Sequence, residues 1–166
     1  CLNLDLSAKI QIHVGGAYGD KVKSMANFIS RYVTLDNAIK RRLVIENDER
    51  LYTAGDCLSI SRQTGIPVLF DVFHHRINHQ LESSLDYFAL AHQTWNEERD
   101  GVMMVDYSSQ KLIGKKGQHA ESIDEEDFRS FLLGTQEFDF DIMLEIKDKE
   151  VSALKALEIL NDARSR

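Results

Sequence analysis

Cysteine is almost missing from this sequence. The two present, Cys1 and Cys57, supply neither a disulfide framework nor the paired spacing of a zinc site. A reducing, intracellular compartment is the expectation. Proline occurs once, at Pro67, and no apolar run approaches the roughly 20 residues that span a bilayer, so no membrane partner is expected. Positive charge is also short: 20 Lys and Arg stand against 27 Asp and Glu, a formal net charge of −7. Such a balance argues against a general polyanion binder. Linker-like and low-complexity stretches are lacking too, which leaves residues 1–166 as one expected domain.

What is there has a rhythm. Five apolar runs each end in a residue of metal-ligand type: Ile10-Gln11-Ile12-His13, Leu43-Val44-Ile45-Glu46, Ile66-Pro67-Val68-Leu69-Phe70-Asp71, Val102-Met103-Met104-Val105-Asp106 and Ile142-Met143-Leu144-Glu145. Between one run and the next lies enough chain for a helix and two short loops. That is the pattern of consecutive βα units feeding a parallel sheet. In such sheets functional side chains gather at the carboxyl ends of the strands. The spacing therefore predicts His13, Glu46, Asp71, Asp106 and Glu145 on one rim, with His74 and His75 just past the third strand. A carboxylate at the tip of a buried strand needs something to compensate its charge.

Gly15 and Gly16, after the first strand, allow close approach of backbone to a phosphate or other ligand; a plain tight turn is the competing reading. The first helix is expected over residues 20–31, burying Val22, Met25, Phe28 and Ile29. Thr53 should cap the second, with Asp56 three residues on. After His74-His75-Arg76 a polar stretch over 77–80 should lead to a helix burying Leu81, Leu85, Phe88 and Ala89. His79 and His92 read as surface residues. The loop over 107–119 is basic and glycine-spaced, so Lys111 and Lys115 are candidates for contact with an anion, or simply solvated. Asp124, Glu125, Glu126 and Asp127 load the start of a helix with acids; its buried face is Phe128, Phe131 and Leu132. A final amphipathic helix should bury Val151, Leu154, Leu157 and Leu160.

Carboxylates with histidines beside them suit more than one divalent ion, and mixed imidazole and carboxylate donors favour Mn, Zn or Fe. Such ions would offset part of the negative charge. Clustered ions perform in-line phosphoryl chemistry, and sugar isomerases use a similar rim with fewer histidines. Spacing alone does not choose between a phosphodiester and a sugar.

The blocks His13-Val14-Gly15-Gly16-Ala17-Tyr18-Gly19, Glu46-Asn47-Asp48-Glu49, Asp71-Val72-Phe73-His74-His75 and Glu145-Ile146-Lys147-Asp148-Lys149 resemble, in order and spacing, the UV damage endonuclease family (UvdE/UvsE). The resemblance covers the whole chain but only the carboxyl-terminal half of the family. It implies an α/β fold, a partial TIM barrel whose five parallel strands correspond to strands 4–8, with helices on the outer face. It further implies a DNA repair endonuclease that cuts damaged double-stranded DNA 5′ to pyrimidine photoproducts. Metal-bound hydroxide would be the attacking group, and manganese the expected ion before zinc or magnesium. His13, Glu46, Asp71, His74, His119 and Glu145 fall on metal-ligand positions of the family. Glu46 would bridge two ions, Asp71 and Glu145 would complete one site, and His74 and His119 would hold another. Glu46, Asp71 and Glu145 are the implied catalytic residues; Gly15, Gly16, Asn47 and Lys147 are the implied substrate contacts.

Two positions depart from the family. Asp106 stands where many members carry a histidine ligand, and Met104 where they carry a modifiable lysine. Aspartate still binds a metal, with a changed charge on the site; methionine cannot carry a carbamate. Two other readings follow: a sugar isomerase or epimerase relative, and a half-barrel with a vestigial site acting as an interaction module. Because the chain starts at Cys1 and has five βα units where a barrel closes with eight, a fragment is expected. Such a fragment should be inactive alone and prone to self-association through open strand edges.

Overall fold

The apolar runs become five parallel strands, β1 (Ile10–Ile12), β2 (Leu43–Glu46), β3 (Val68–Asp71), β4 (Met103–Tyr107) and β5 (Phe140–Leu144). The computed structural model describes residues 4–78 and 83–164. The strands lie in sequence order, β1-β2-β3-β4-β5, as an arc of a barrel. Eight helices among the described residues link and flank them: α1 (Lys21–Val33), α2 (Asn37–Lys40), α3 (Ala54–Thr64), α4 (Val72–Asn78), α5 (Ser84–His92), α6 (Glu97–Asp100), α7 (Glu125–Gly134) and α8 (Glu150–Arg164). None is long and apolar enough to cross a membrane.

Helix starts follow the local chemistry read from sequence. The Asp20 side chain accepts the Lys23 N–H at 2.9 Å, and Asp124 accepts that of Asp127 at 3.1 Å. Thr53 and Asp56 form a reciprocal capping box at α3. That helix ends on Gly65 with φ +73°, a left-handed conformation that glycine adopts without strain.

Strand residues alternate between two faces. Leu43, Ile45, Val68, Phe70, Met103, Val105 and Tyr107 join one hydrophobic cluster with residues of the flanking helices. The opposite parity carries Glu46, Asp71 and Asp106 onto the inner side. Phe88 is the hub of the outer layer, with its ring centroid 5.7 Å from Phe70, 5.3 Å from Phe138 and 5.1 Å from Phe140. The segment after α5 clasps the start of β3: Thr94 Oγ1 accepts the Val68 N–H at 2.9 Å, and Trp95 Nε1 donates to the Val68 carbonyl at 2.7 Å.

Several expectations are corrected. α4 begins at Val72 directly after β3, so His74 and His75 are helical and the expected polar stretch over 77–80 is helical at Ile77 and Asn78, while residues 79 and 80 lie outside the described residues. Val22 and Leu85 are exposed; the burying faces are Met25, Phe28 and Ile29 on α1, and Phe88 and Ala91 on α5. In α8 the buried residues are Ser152, Ala156 and Ile159, while Val151, Leu154 and Leu157 are exposed. Ser152 is buried where its hydroxyl has a partner, its Oγ accepting the Ile123 N–H at 2.9 Å. The short helices α2 and α6 lie in stretches with too few residues to show a period. Leu81 and His79 lie outside the described residues.

Candidate metal centre

Glu46, Asp71 and Asp106 stand at or beside the carboxyl ends of three adjacent strands, all nearly fully buried. Register puts them side by side: Asp71 pairs with Asp106, and Glu46 with Leu69, two residues before Asp71. Glu145 follows β5 directly and is held through its backbone. Its N–H donates to the Tyr107 carbonyl at 3.0 Å, while its own carbonyl accepts Ser108 Oγ at 2.9 Å and lies 2.8 Å from His119 Nδ1. Two sets of potential ligand atoms result, each within 4.8 Å of one another: Glu46, Asp71 and His74, and Asp71, Asp106 and Glu145. Asp71 is common to both sets.

His74 is fixed by the first turn of α4. Its backbone N–H donates to Asp71 Oδ1 at 2.7 Å. Its Nδ1 lies 3.0 Å from Asp71 Oδ2, 3.3 Å from Glu46 Oε1 and 3.1 Å from the Asn47 carbonyl. Burial disfavours the charged ring, but hydrogen bonds to Asp71 and Glu46 outweigh it and hold the pKa up at about 11. In the metal-free chain these acids therefore favour the protonated ring. His13 Nε2 stands 3.7 Å from Glu46 Oε2, and His119 Nε2 4.0 Å from Glu145 Oε2. The rings of His13 and His119 lie 6.1 and 6.4 Å from that of His74. All three histidines therefore border the acids. His75 does not: it packs between Phe70 and Tyr87 on the outer side. His92 lies against Phe138, away from the rim.

The donors fit a divalent cation. Burial, then the charges of Glu46, Asp71 and Glu145, push the Asp106 carboxyl up to about 8. Burial and the charges of Asp71 and Glu46 raise Glu145 as well. Asp106 Oδ1 is buried with no hydrogen-bond partner. A buried carboxylate oxygen without a donor, among three further acids, is what a cation would satisfy.

These shifts make a prediction for the metal-free chain. The folded state keeps the Asp106 proton to about pH 8, whereas an unperturbed carboxyl releases it near 3.8. Between those values the folded chain binds the extra proton, so raising the pH favours unfolding. His74 acts in the same direction between its ordinary 6.5 and about 11. Thermal unfolding in chelator should show Asp106→Asn gaining on the wild type as pH rises from 5 to 8. A difference that shrinks or reverses over that range would refute the charge assignment.

Two supporting residues escaped the sequence reading. Gln11 Nε2 donates to Glu46 Oε2 at 3.2 Å and to Asp106 Oδ2 at 2.9 Å, tying the two carboxylates together. Its signal was present: a polar residue at an inward position of an apolar strand. Glu49 Oε2 lies 3.9 Å from His74 Nε2 and left no such sign. Asn47, expected as a substrate contact, is fully buried, and its amide donates to the Asp71 carbonyl and accepts from the Asp71 N–H at 3.0 Å each. Lys147, exposed, shares Glu121 with Lys111 at 3.0 and 2.6 Å. Gly15 has φ +104°, and a Cβ on Gly16 would stand 3.0 Å from the Tyr18 ring. Both positions keep the loop after β1 lean.

Residues 1–165 match the family described as UV-endonuclease UvdE. The UV DNA damage endonuclease of Clostridium perfringens (strain 13 / Type A) is 43% identical over 162 residues, which are 97% of this chain and 39% of that protein. The enzyme of the same name from Bacillus cereus (strain Q1) is 37% identical over 160 residues, 95% of this chain and 50% of that one. The crystal structure of SacUVDE superposes with a TM-score of 0.88 at 46% identity, covering 94% of this chain and 52% of its own. The chain thus spans about half the length of these relatives, or less. A likeness that holds in sequence and in fold over nearly every residue settles the kinship: this chain belongs to the UvdE family of UV-endonucleases.

Proposed function

We propose that this chain supplies most of the metal centre of an endonuclease that hydrolyses a phosphodiester 5′ to UV photoproducts, or related lesions, in double-stranded DNA. The observation that carries the reading is the pair of donor sets joined at Asp71 on one rim. Glu46, Asp71, Asp106 and Glu145, with His13, His74 and His119 beside them, would hold divalent ions, manganese before zinc or magnesium. Bound there, such ions make water nucleophilic at neutral pH and offset charge on the phosphoryl oxygens.

The protein's own part is to hold the donors still. Gln11 keeps the carboxylates of Glu46 and Asp106 turned toward each other. Asn47 locks the peptide of Asp71, so that this carboxylate leaves β3 in one direction. The lean backbone at Gly15 and Gly16 lets a phosphate approach, and Lys111 and Lys147 place positive charge beside Glu121. Each fixed donor lowers the reorganisation needed as charge moves in the reaction.

The full-length protein, loaded with Mn²⁺, is expected to nick UV-irradiated duplex DNA and leave a 3′-hydroxyl at the cut. Undamaged duplex should stay intact on the same timescale. Metal-loaded protein that leaves irradiated DNA whole would overturn the reading, and retained fold without bound metal would favour a vestigial site.

A further inference from the structure

The loop between β4 and α7 displays its most apolar residues at its tip. Leu112 is 98% and Ile113 90% exposed. A chain free to move would tuck two adjacent aliphatic side chains against the protein, because each gains by leaving water. This loop is built to prevent that. Its arms are closed by the Lys111 N–H donating to the Gln118 carbonyl at 2.8 Å and by the Gln110 to His119 bridge. Gln110 braces the inside: its Nε2 donates to the Lys115 carbonyl at 3.0 Å, and its Oε1 accepts the Gly117 N–H at 2.9 Å. Gly117 turns the chain with φ +85°, and a Cβ on Gly114 would stand 2.5 Å from Gln118 Oε1. A braced, exposed apolar tip marks a contact surface.

Its neighbours say with what. Lys115 and Lys116 are exposed on the same tip, so cations flank the apolar pair although the whole chain carries −7. His119, at the foot of the loop, borders the acid rim. Leu112 and Ile113 lie two and three residues beyond Gln110, which pairs with His119. At ~3.5 Å per residue the tip stands within roughly 10 Å of Gln110, the residue bridged to that histidine. At ~3.4 Å per nucleotide, this is about three base steps.

We propose that Leu112 and Ile113 are an apolar wedge that enters the base stack of the damaged duplex beside the bond to be cut, with Lys115 and Lys116 on the flanking phosphates. Apolar side chains pushed between base steps unstack them, most easily where a lesion has already weakened the stack. The wedge thus contributes lesion preference, separately from the metal centre. This inference rests on the DNA reading of the preceding section.

The test uses full-length protein with Mn²⁺, a duplex carrying one thymine dimer, and 2-aminopurine beside the lesion. Wild type should raise the 2-aminopurine fluorescence. Leu112→Ser/Ile113→Ser should lose most of that rise and at least about tenfold in preference for damaged over undamaged duplex, with bound metal unchanged. Leu112→Met/Ile113→Leu should keep both. A serine variant with wild-type fluorescence and preference would overturn the wedge while leaving the nuclease reading intact. Loss of binding to phosphatidylserine-containing vesicles, with the DNA response kept, would assign the tip to a membrane and also overturn it. Metal-loaded wild type that ignores damaged DNA would bring down both readings together.

Discussion

In the full-length protein, replacing Asp71 by asparagine should remove all tightly bound metal and reduce nicking by at least about 100-fold, a loss that even an outer-shell partner of a metal can produce. Asp71 is the one residue common to both donor sets, so its loss cannot be confined to one ion. Asparagine keeps the shape and the backbone clasp of Asn47 but offers one neutral oxygen in place of two charged ones. Glu145→Gln is the matched comparison. Glu145 belongs to one set only and sits at the more open edge of the rim, so one class of ion should survive. Elemental analysis after dialysis against Mn²⁺ distinguishes the two variants. Equal metal retention in both would refute the shared role of Asp71.

Truncating Phe88 to alanine should cost about 3–5 kcal/mol, the range for removing a large aromatic ring from a packed core. The ring is buried and meets Phe70, Phe131, Phe138 and Phe140 in edge-on or near edge-on contacts. Collapse around the void is limited because these neighbours come from two strands, a helix and the segment after it. Against a typical domain stability of roughly 5–15 kcal/mol, this is a large fraction. Leu85, three residues earlier on the same helix, is half exposed, and its alanine variant should lose about 1 kcal/mol or less. Denaturant midpoints compare the two. Because Phe88 lies on the outer face, the folded fraction of Phe88→Ala should still bind metal, which separates stability from the site.

The fold was legible because its signals are local and repeated. Each apolar run ends in a polar ligand-type residue, and a parallel sheet buried on both faces requires continuous apolar strands. The same period of two that puts Ile45 and Phe70 into the core puts Glu46 and Asp71 on the opposite face. The helix cap at Thr53 was readable for the same reason: a cap involves residues three apart.

Orientation within helices was less legible. The stripe of Val151, Leu154 and Leu157 looks like a burying face, yet the buried residues are Ser152, Ala156 and Ile159. Hydrophobic period alone cannot tell which of two apolar stripes packs closer. The histidine pair failed likewise. Two adjacent histidines on a strand tip would share a rim, but on α4 successive residues turn by about 100°, which sends His75 into the aromatic layer.

By itself the sequence determined the order of the βα units, the strands, and the acids that share a rim, since all of these follow from periodicity and spacing along the chain. Only the tertiary structure decided that Asp71 joins the two donor sets, that Gln11 binds Glu46 to Asp106, and that the Asn47 amide holds the Asp71 backbone. Those contacts span 24 to 95 residues of chain. Their partners are chosen by strand register and packing, which no local pattern encodes.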